Sequence, residues 1–357
     1  MNLLNIILIS ALALTFLSIL LLIVIIGLRI FTDRSIDHES SFRKRALPVI
    51  KGYLSGDASV DVTAAILRKD PDLALQLLMQ EYDALGEAEK GKLHPLFSAF
   101  PTVKKEIDSL KSLLWQTRLH AAERLGYLGD DSALPALMTA LRDDVVVVRF
   151  AAARSLCQLD CQEAVEPIIH SLDVPGEVSQ RRVAEILVIL GARAIEPILD
   201  ILKTPSYNEA SHSIAARVAG LLRAERAVSA LQNLLTHQAP NVRLNAVRSL
   251  ALIEDHSTTP SIASLSEDSS WEVRSSVMTA LGRLHASDRI PLLLQGLSDP
   301  EWWVRHNAAT SLIQLGDPGI KELRNAVDHH VDAYGRDVSR QILQQQGLLP
   351  VTSESHS

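Results

Sequence analysis

The sequence predicts an all-α chain: an α-solenoid of about eight helix pairs, preceded by one N-terminal transmembrane helix. Three observations carry that expectation. A period of 31 residues runs through most of the chain, with an arginine recurring at its marker position. Hydrophobic residues make up 47 % of the chain but aromatics only 4 %, and the apolar residues are mainly the helix formers Leu and Ala. The stretch from Leu3 to Phe31 has no charged residue before Arg29.

As a helix, residues 3–31 would reach roughly 40 Å, against a hydrocarbon core of ~30 Å. The stretch lacks the basic start and small-residue cleavage site of a removed signal, so an uncleaved single-pass anchor is expected. Arg29, Arg34, Arg43, Lys44 and Arg45 follow the stretch and no basic residue precedes it. The positive-inside rule then puts the amino terminus outside the cell (inner) membrane and the repeats in the cytoplasm. The expected division is an anchor at 1–31, a basic juxtamembrane linker at 32–45, a helical cap region at 46–104, repeats at 105–347 and a disordered tail at 348–357. In the cap region, Asp70 followed by Pro71 reads as a helix start.

The period is read from Arg118, Arg149, Gln180, His212, Arg243, Arg274, Arg305 and Arg336, with one extra residue between Gln180 and His212. Small or aliphatic residues follow three and four positions on, as in Ala121-Ala122, Ala152-Ala153 and Ala308-Ala309. Leucine recurs seven on, from Leu125 to Leu343, with Ala219 as the exception. This is the apolar spacing of an amphipathic helix whose small-residue stripe admits a close neighbour. A second apolar segment precedes each marker helix, as in ALPALMTAL (133–141) and AIEPILDIL (194–202). Asp299 with Pro300 reads as a helix cap and first-turn proline.

Paired helices at this period, with a proline inside the first and a V-R-x-x-A start to the second, resemble HEAT repeats. They are most similar to the short form named after phycobilin lyases. The segments VVVVRFAAARSLCQL (145–159), NVRLNAVRSLALI (241–253), WEVRSSVMTALGRL (271–284) and WWVRHNAATSLIQLG (302–316) carry the resemblance. It implies a solenoid whose second helices line a concave surface, and it says little about function.

Asp143, Asp268 and Asp299 stand six residues before Arg149, Arg274 and Arg305; Val174 and Ser206 stand before Gln180 and His212. Each aspartate is therefore expected to cap its helix and pair with the arginine of its own repeat. Counting ~100° per residue from the marker, positions −2, +2, +5 and +9 point away from the core. In repeats two to four this face carries Val147, Ala151, Val178, Ile189, Ala210, Ile214 and Leu221 beside Arg154, Arg182 and Arg217. Apolar residues rimmed by arginine suggest a protein-binding groove. The candidate contact residues are Val147, Val178, Arg182, Ile189, Ile214, Arg217 and Leu221. Trp303 joins them from position −2 of repeat seven, while Trp302, at −3 like Trp115 and Trp271, reads as an edge packing residue.

No catalytic, cofactor-binding or metal-ligating residue is assigned. The His-Glu pairs that HEAT-like hydroxylases use for iron reduce here to His38-Glu39, outside the repeats. The cluster Asp328 to Asp332 reads as a solvated turn. Cys157 and Cys161 read as small apolar residues. Residues 46–357 carry 30 basic and 39 acidic groups, which argues against nucleic acid as a partner. The expected function is a membrane-tethered, non-enzymatic scaffold or adaptor. Its partners would be proteins, membrane-associated ones, with the bilayer itself contacted through residues 3–31. A HEAT-like enzyme of the lyase type, acting at the membrane, is the alternative.

Overall fold

The computed structural model describes residues 3–100, 102–172 and 177–350. They divide into two compact units. One holds residues up to Glu106 with Tyr127–Gly129, and the other holds Ile107–Gly126 with Asp130 onward.

The first unit is built on one helix, Leu3–Ser55. Phe42, Ala46 and Ile50 are buried on it against the short helices that follow, Val60–Leu67 and Pro71–Ala84. Asp70 caps the latter through its carboxylate, which accepts from the Leu73 amide at 3.2 Å, with Pro71 in the first turn. Both features match the sequence reading.

The membrane anchor is corrected. Among the described residues, no helix is long and apolar enough to cross a membrane. The apolar stretch is the front of a longer helix that passes through the charged segment 33–45 without a break. No glycine or proline interrupts residues 28–47, so the linker expected at 32–45 is helical too. The single-pass topology, the outside amino terminus, the cytoplasmic placement and the bilayer contact through 3–31 fall with it. Of that stretch, the side chains of residues 3–15, 24, 27, 28, 30 and 31 lie outside the described set. The expected tail lies outside it from residue 351.

In the second unit each repeat is a first helix, a turn and a second helix. Repeat two pairs Leu134–Ala140 with Val146–Gln158, and repeat seven pairs Ile290–Gly296 with Trp302–Gln314. Second helices stack on second helices and first on first, giving two layers. The core is the set of recurring positions, with Leu125, Leu156, Leu187, Leu250, Leu281, Leu312 and Leu343 all fully buried. The first-helix prolines are not mid-helix as expected. A 3₁₀ turn precedes the helix, and Pro135, Pro260 and Pro291 fall in its first turn, where a missing N–H costs nothing.

Every second helix ends in a left-handed residue eleven positions after its marker: Gly129, Asp160, Gly191, Arg223, Glu254, His285, Gly316 and Gly347. Such a residue reverses the chain so that the following first helix returns along the stack. At His285 and Arg223, with φ of 47° and 48°, the side chain makes this conformation costly.

Candidate protein-binding face

The marker arginine shapes each repeat from the turn upward. Its Nη1 donates to the backbone carbonyl six residues earlier in all six cases: Ser112, Asp143, His237, Asp268, Asp299 and His330, at 2.6 to 3.0 Å. It thereby fastens the turn to the helix that the turn enters. The other edge of the guanidinium reaches a neighbouring repeat. Arg118 meets Asp143, Arg243 meets Asp268 and Arg274 meets Asp299, each through two bonds of 2.6 to 2.9 Å. The expected pairing within one repeat is therefore corrected. Each aspartate gives its carbonyl to its own repeat's arginine and its carboxylate to that of the preceding repeat. The same carboxylate accepts from the amide two residues on, at Val145, Ser270 and Glu301. Asp299 thus caps the turn, and Glu301 takes the helix N-cap position. The Arg118 guanidinium holds the Asp143 carboxyl below the usual carboxylate range.

The remaining rungs differ. His212 replaces the arginine of repeat four and His237 replaces the aspartate 25 residues on. Their rings lie 5.7 Å apart. The Nδ1 of His237 accepts from the Ala239 amide at 3.1 Å, as the aspartates do, and His330 repeats this toward Asp332 at 3.2 Å. Arg305 therefore faces a histidine position rather than a carboxylate. Its buried Nε has no hydrogen-bond partner, and its guanidinium lies 5.0 Å from the Tyr334 ring.

A second contact joins adjacent second helices at three junctions. Ser155, Ser249 and Ser311 each donate Oγ to a carbonyl 33 residues back, at Ala122, Ala216 and Met278. Each serine sits against a glycine of the preceding repeat. A Cβ on Gly220 would lie 2.7 Å from Ser249, and one on Gly282 would lie 2.5 Å from Ser311 Oγ.

These contacts decide which side chains remain outside. Among the sequence candidates, Val147 is 47 % exposed, Ile189 44 %, Leu221 44 % and Trp303 53 %. Arg182 is exposed, with its guanidinium 5.8 Å from the Phe150 ring, and Arg217 is half-buried. Ile214 is corrected: it is 1 % exposed and belongs to the core. Position +2 is turned toward a neighbouring helix, for Ala151, Asn245 and Ser276 are buried at the same register. The side chain of Val178 lies outside the described set. The face is therefore made by positions −2, +5 and +9, joined in repeat three by Arg182 at +2, and Arg154 and Arg248, both exposed, extend it.

Trp302 is 40 % exposed and stacks on His306, with ring centroids 4.7 Å apart; Trp303 meets Trp302 edge-on at 4.7 Å. Both stand in the first turn of their helix. His330 is not solvated as expected for its turn, because its Nε2 lies 3.1 Å from the Leu294 carbonyl oxygen. Among the described residues, no three His, Cys, Asp or Glu side chains group so as to hold a metal ion. Burial pushes the Cys157 thiol up to about 12. The contact serines and the left-handed turns were missed in the sequence, although Gly129, Gly191, Gly316 and Gly347 share one register.

A family model described as HEAT repeats matches residues 107–188, 195–265 and 258–344. No curated protein matches the chain. Among solved structures, the complex of CpcE and CpcF of phycocyanin lyase from Nostoc sp. PCC7120 is 19 % identical. That match covers 70 % of this chain and 96 % of that one, with a TM-score of 0.32. Human deoxyhypusine hydroxylase is also 19 % identical, over 77 % of this chain and 99 % of that one, with a TM-score of 0.31. Kap121p is 12 % identical over 87 % of this chain, with a TM-score of 0.50, and the match spans 40 % of its length. At that identity the likeness is one of fold alone.

Proposed function

Because the chain belongs to the HEAT-repeat family, we propose that it is a non-enzymatic scaffold or adaptor. It takes protein partners on the free face of its second helices. The observation that carries this reading is the exposure of Val147, Ile189 and Leu221 on one layer, among exposed arginines. Aliphatic side chains held in water on a rigid stack gain free energy when a partner covers them, at ~25 cal/mol per Å² of apolar surface. Stacked repeats extend such a face over many turns, which suits an elongated partner. All three side chains sit at positions the packing leaves open, so they can change without cost to the core.

The test is cross-linking with affinity capture, comparing the native chain with a Val147→Asp, Leu221→Asp double variant. The variant is expected to keep its helical circular dichroism and melting temperature and to lose the captured partners. Unchanged capture by the folded variant would rule out this face.

A further inference from the structure

We propose that repeats seven and eight carry a second binding surface, an aromatic rim that takes a proline-rich segment bearing basic residues. It stands in a different part of the stack from Val147, Ile189 and Leu221 and does not depend on that face being occupied. Within the repeats, the exposed large aromatic side chains among the described residues are Trp115, Trp302, Trp303 and Tyr334. Three of these four fall in two neighbouring repeats. Trp303 and Tyr334 hold the same register, two residues before Arg305 and Arg336, on the second helices Trp302–Gln314 and Ala333–Gln345, which pack on each other. Trp302 braces the first ring edge-on from its stack with His306, and the Arg305 guanidinium lies against the second. Each ring thus has a neighbour inside the chain, yet Trp303 stays 53 % exposed and Tyr334 66 %.

Spacing selects the conformation of the occupant. Neighbouring packed helices lie ~8–10 Å apart. A polyproline II segment advances ~3.1 Å per residue with three residues per turn, so positions on one edge recur every ~9 Å. Same-face neighbours recur at ~7 Å in an extended strand and at ~6 Å in an α-helix, both short of one repeat. Proline rings three residues apart can therefore rest on Trp303 and Tyr334 in turn, and such a segment is ordered before it binds. Charge complementarity supplies the second criterion. Each ring is accompanied by a carboxylate two residues earlier, Glu301 and Asp332. Glu301 is exposed and makes no side-chain capping bond, and the Asp332 carboxylate accepts from the Tyr334 and Gly335 amides. The arginines of the same turns are directed at the backbone: Arg305 at the Asp299 and Pro300 carbonyls, Arg336 at those of His330 and Val331. Arg274, within electrostatic reach of Glu301, is itself paired with Asp299. Because Arg305 is buried, the charge this rim offers outward is negative, and basic side chains between the prolines answer it.

The experiment is fluorescence anisotropy on the full chain with three labelled peptides of four units each: Pro-Ala-Arg, Ala-Ala-Arg and Pro-Ala-Glu. The first is expected to bind at least tenfold more tightly than either of the others. Trp303→Ala and Tyr334→Ala should each weaken it at least fivefold with the helical circular dichroism unchanged, while Tyr334→Phe keeps the ring and the affinity. The Val147→Asp, Leu221→Asp variant is expected to bind the peptide normally, so the fate of this rim and that of the upstream face are read separately. The proposal is overturned by no binding of the Pro-Ala-Arg peptide up to ~1 mM, or by equal affinity for Ala-Ala-Arg, which would leave charge alone. Unchanged affinity in the folded Trp303→Ala, Tyr334→Ala double variant overturns it too. So does light scattering that reports a dimer broken by Trp303→Ala, since the rim would then belong to a second copy.

Discussion

At the scale of the residue, the informative positions are those where a histidine takes a charged residue's place. His212 is 3 % exposed, its Nδ1 has no hydrogen-bond partner, and it sits where other repeats bury a paired guanidinium. Burial first, and then the nearby His237, holds its pKa below the ordinary histidine value. The folded chain therefore binds a proton at this site less readily than the unfolded chain does. Stability is unaffected while both forms are neutral, above the unfolded value of about 6.5. It is lost as pH falls through that value toward the lower folded one, since there the unfolded state binds more protons. Arg243, which donates to the His237 carbonyl, is a fixed cation close by, with Asp268 as its partner. Thermal melts at pH 7.5 and 5.5 should show a drop that shrinks when His212→Gln removes the titrating group. A drop of the same size in the variant would assign the acid sensitivity elsewhere.

At the scale of the element, two helices approach closely only where one of them offers no side chain. Gly220 faces the Cα, Cβ and Oγ of Ser249, all 2.7 Å from where a Cβ would stand, so backbone itself must move. Gly126 faces Gln158 Oε1 with the Oγ and Cβ of Ser155, and no backbone atom is among these three. Gly220→Ala is therefore expected to cost about 1–3 kcal/mol, as overpacking does, and Gly126→Ala less. Denaturant melts of the two variants check the order, and equal costs would show that the helices slide freely. How much of this was legible follows from periodicity. The repeat was plain because each unit buries the same positions, so Ala, Leu and Arg recur at fixed spacing. The partner of each aspartate was not, because Asp143 is both six before Arg149 and 25 after Arg118, and spacing cannot separate the two. Ile214 was misplaced because its position, ~200° from the marker, faces a neighbouring helix rather than solvent, and the periodicity of one helix does not register that neighbour. The apolar start of the chain was read as a separate span because a run of apolar residues does not itself end a helix. With no breaker between Gly27 and Pro48, the helix continues to Ser55.

At the scale of the whole repeat unit, stability is close to a sum over neighbouring interfaces. Those interfaces are unequal. Repeats one with two and six with seven share both a paired arginine rung and a serine–glycine contact. Repeats five and six share a rung, while repeats four and five share a serine–glycine contact beside the histidine pair. Repeat three offers Gln180 at its marker, which has no guanidinium, and the residues 25 after Arg149 and Gln180 are Val174 and Pro205. With neutral residues at these positions the junctions of repeat three lack the buried rung and keep apolar contact with outer polar contacts such as Arg193 to Asp160 and Tyr207 to Glu166. Local opening should therefore begin at repeat three. In hydrogen exchange read by mass spectrometry, amides of Glu177–Leu187 should exchange before those of Pro240–Ile253 and Trp271–Arg283. Uniform protection along the stack would refute the interface argument. The weak junction lies beneath Arg182 and Ile189, on the proposed binding face. A partner spanning repeats two to five would bridge it from outside, so the gain in protection on binding should be largest there, larger than at the directly contacted but already braced Arg248.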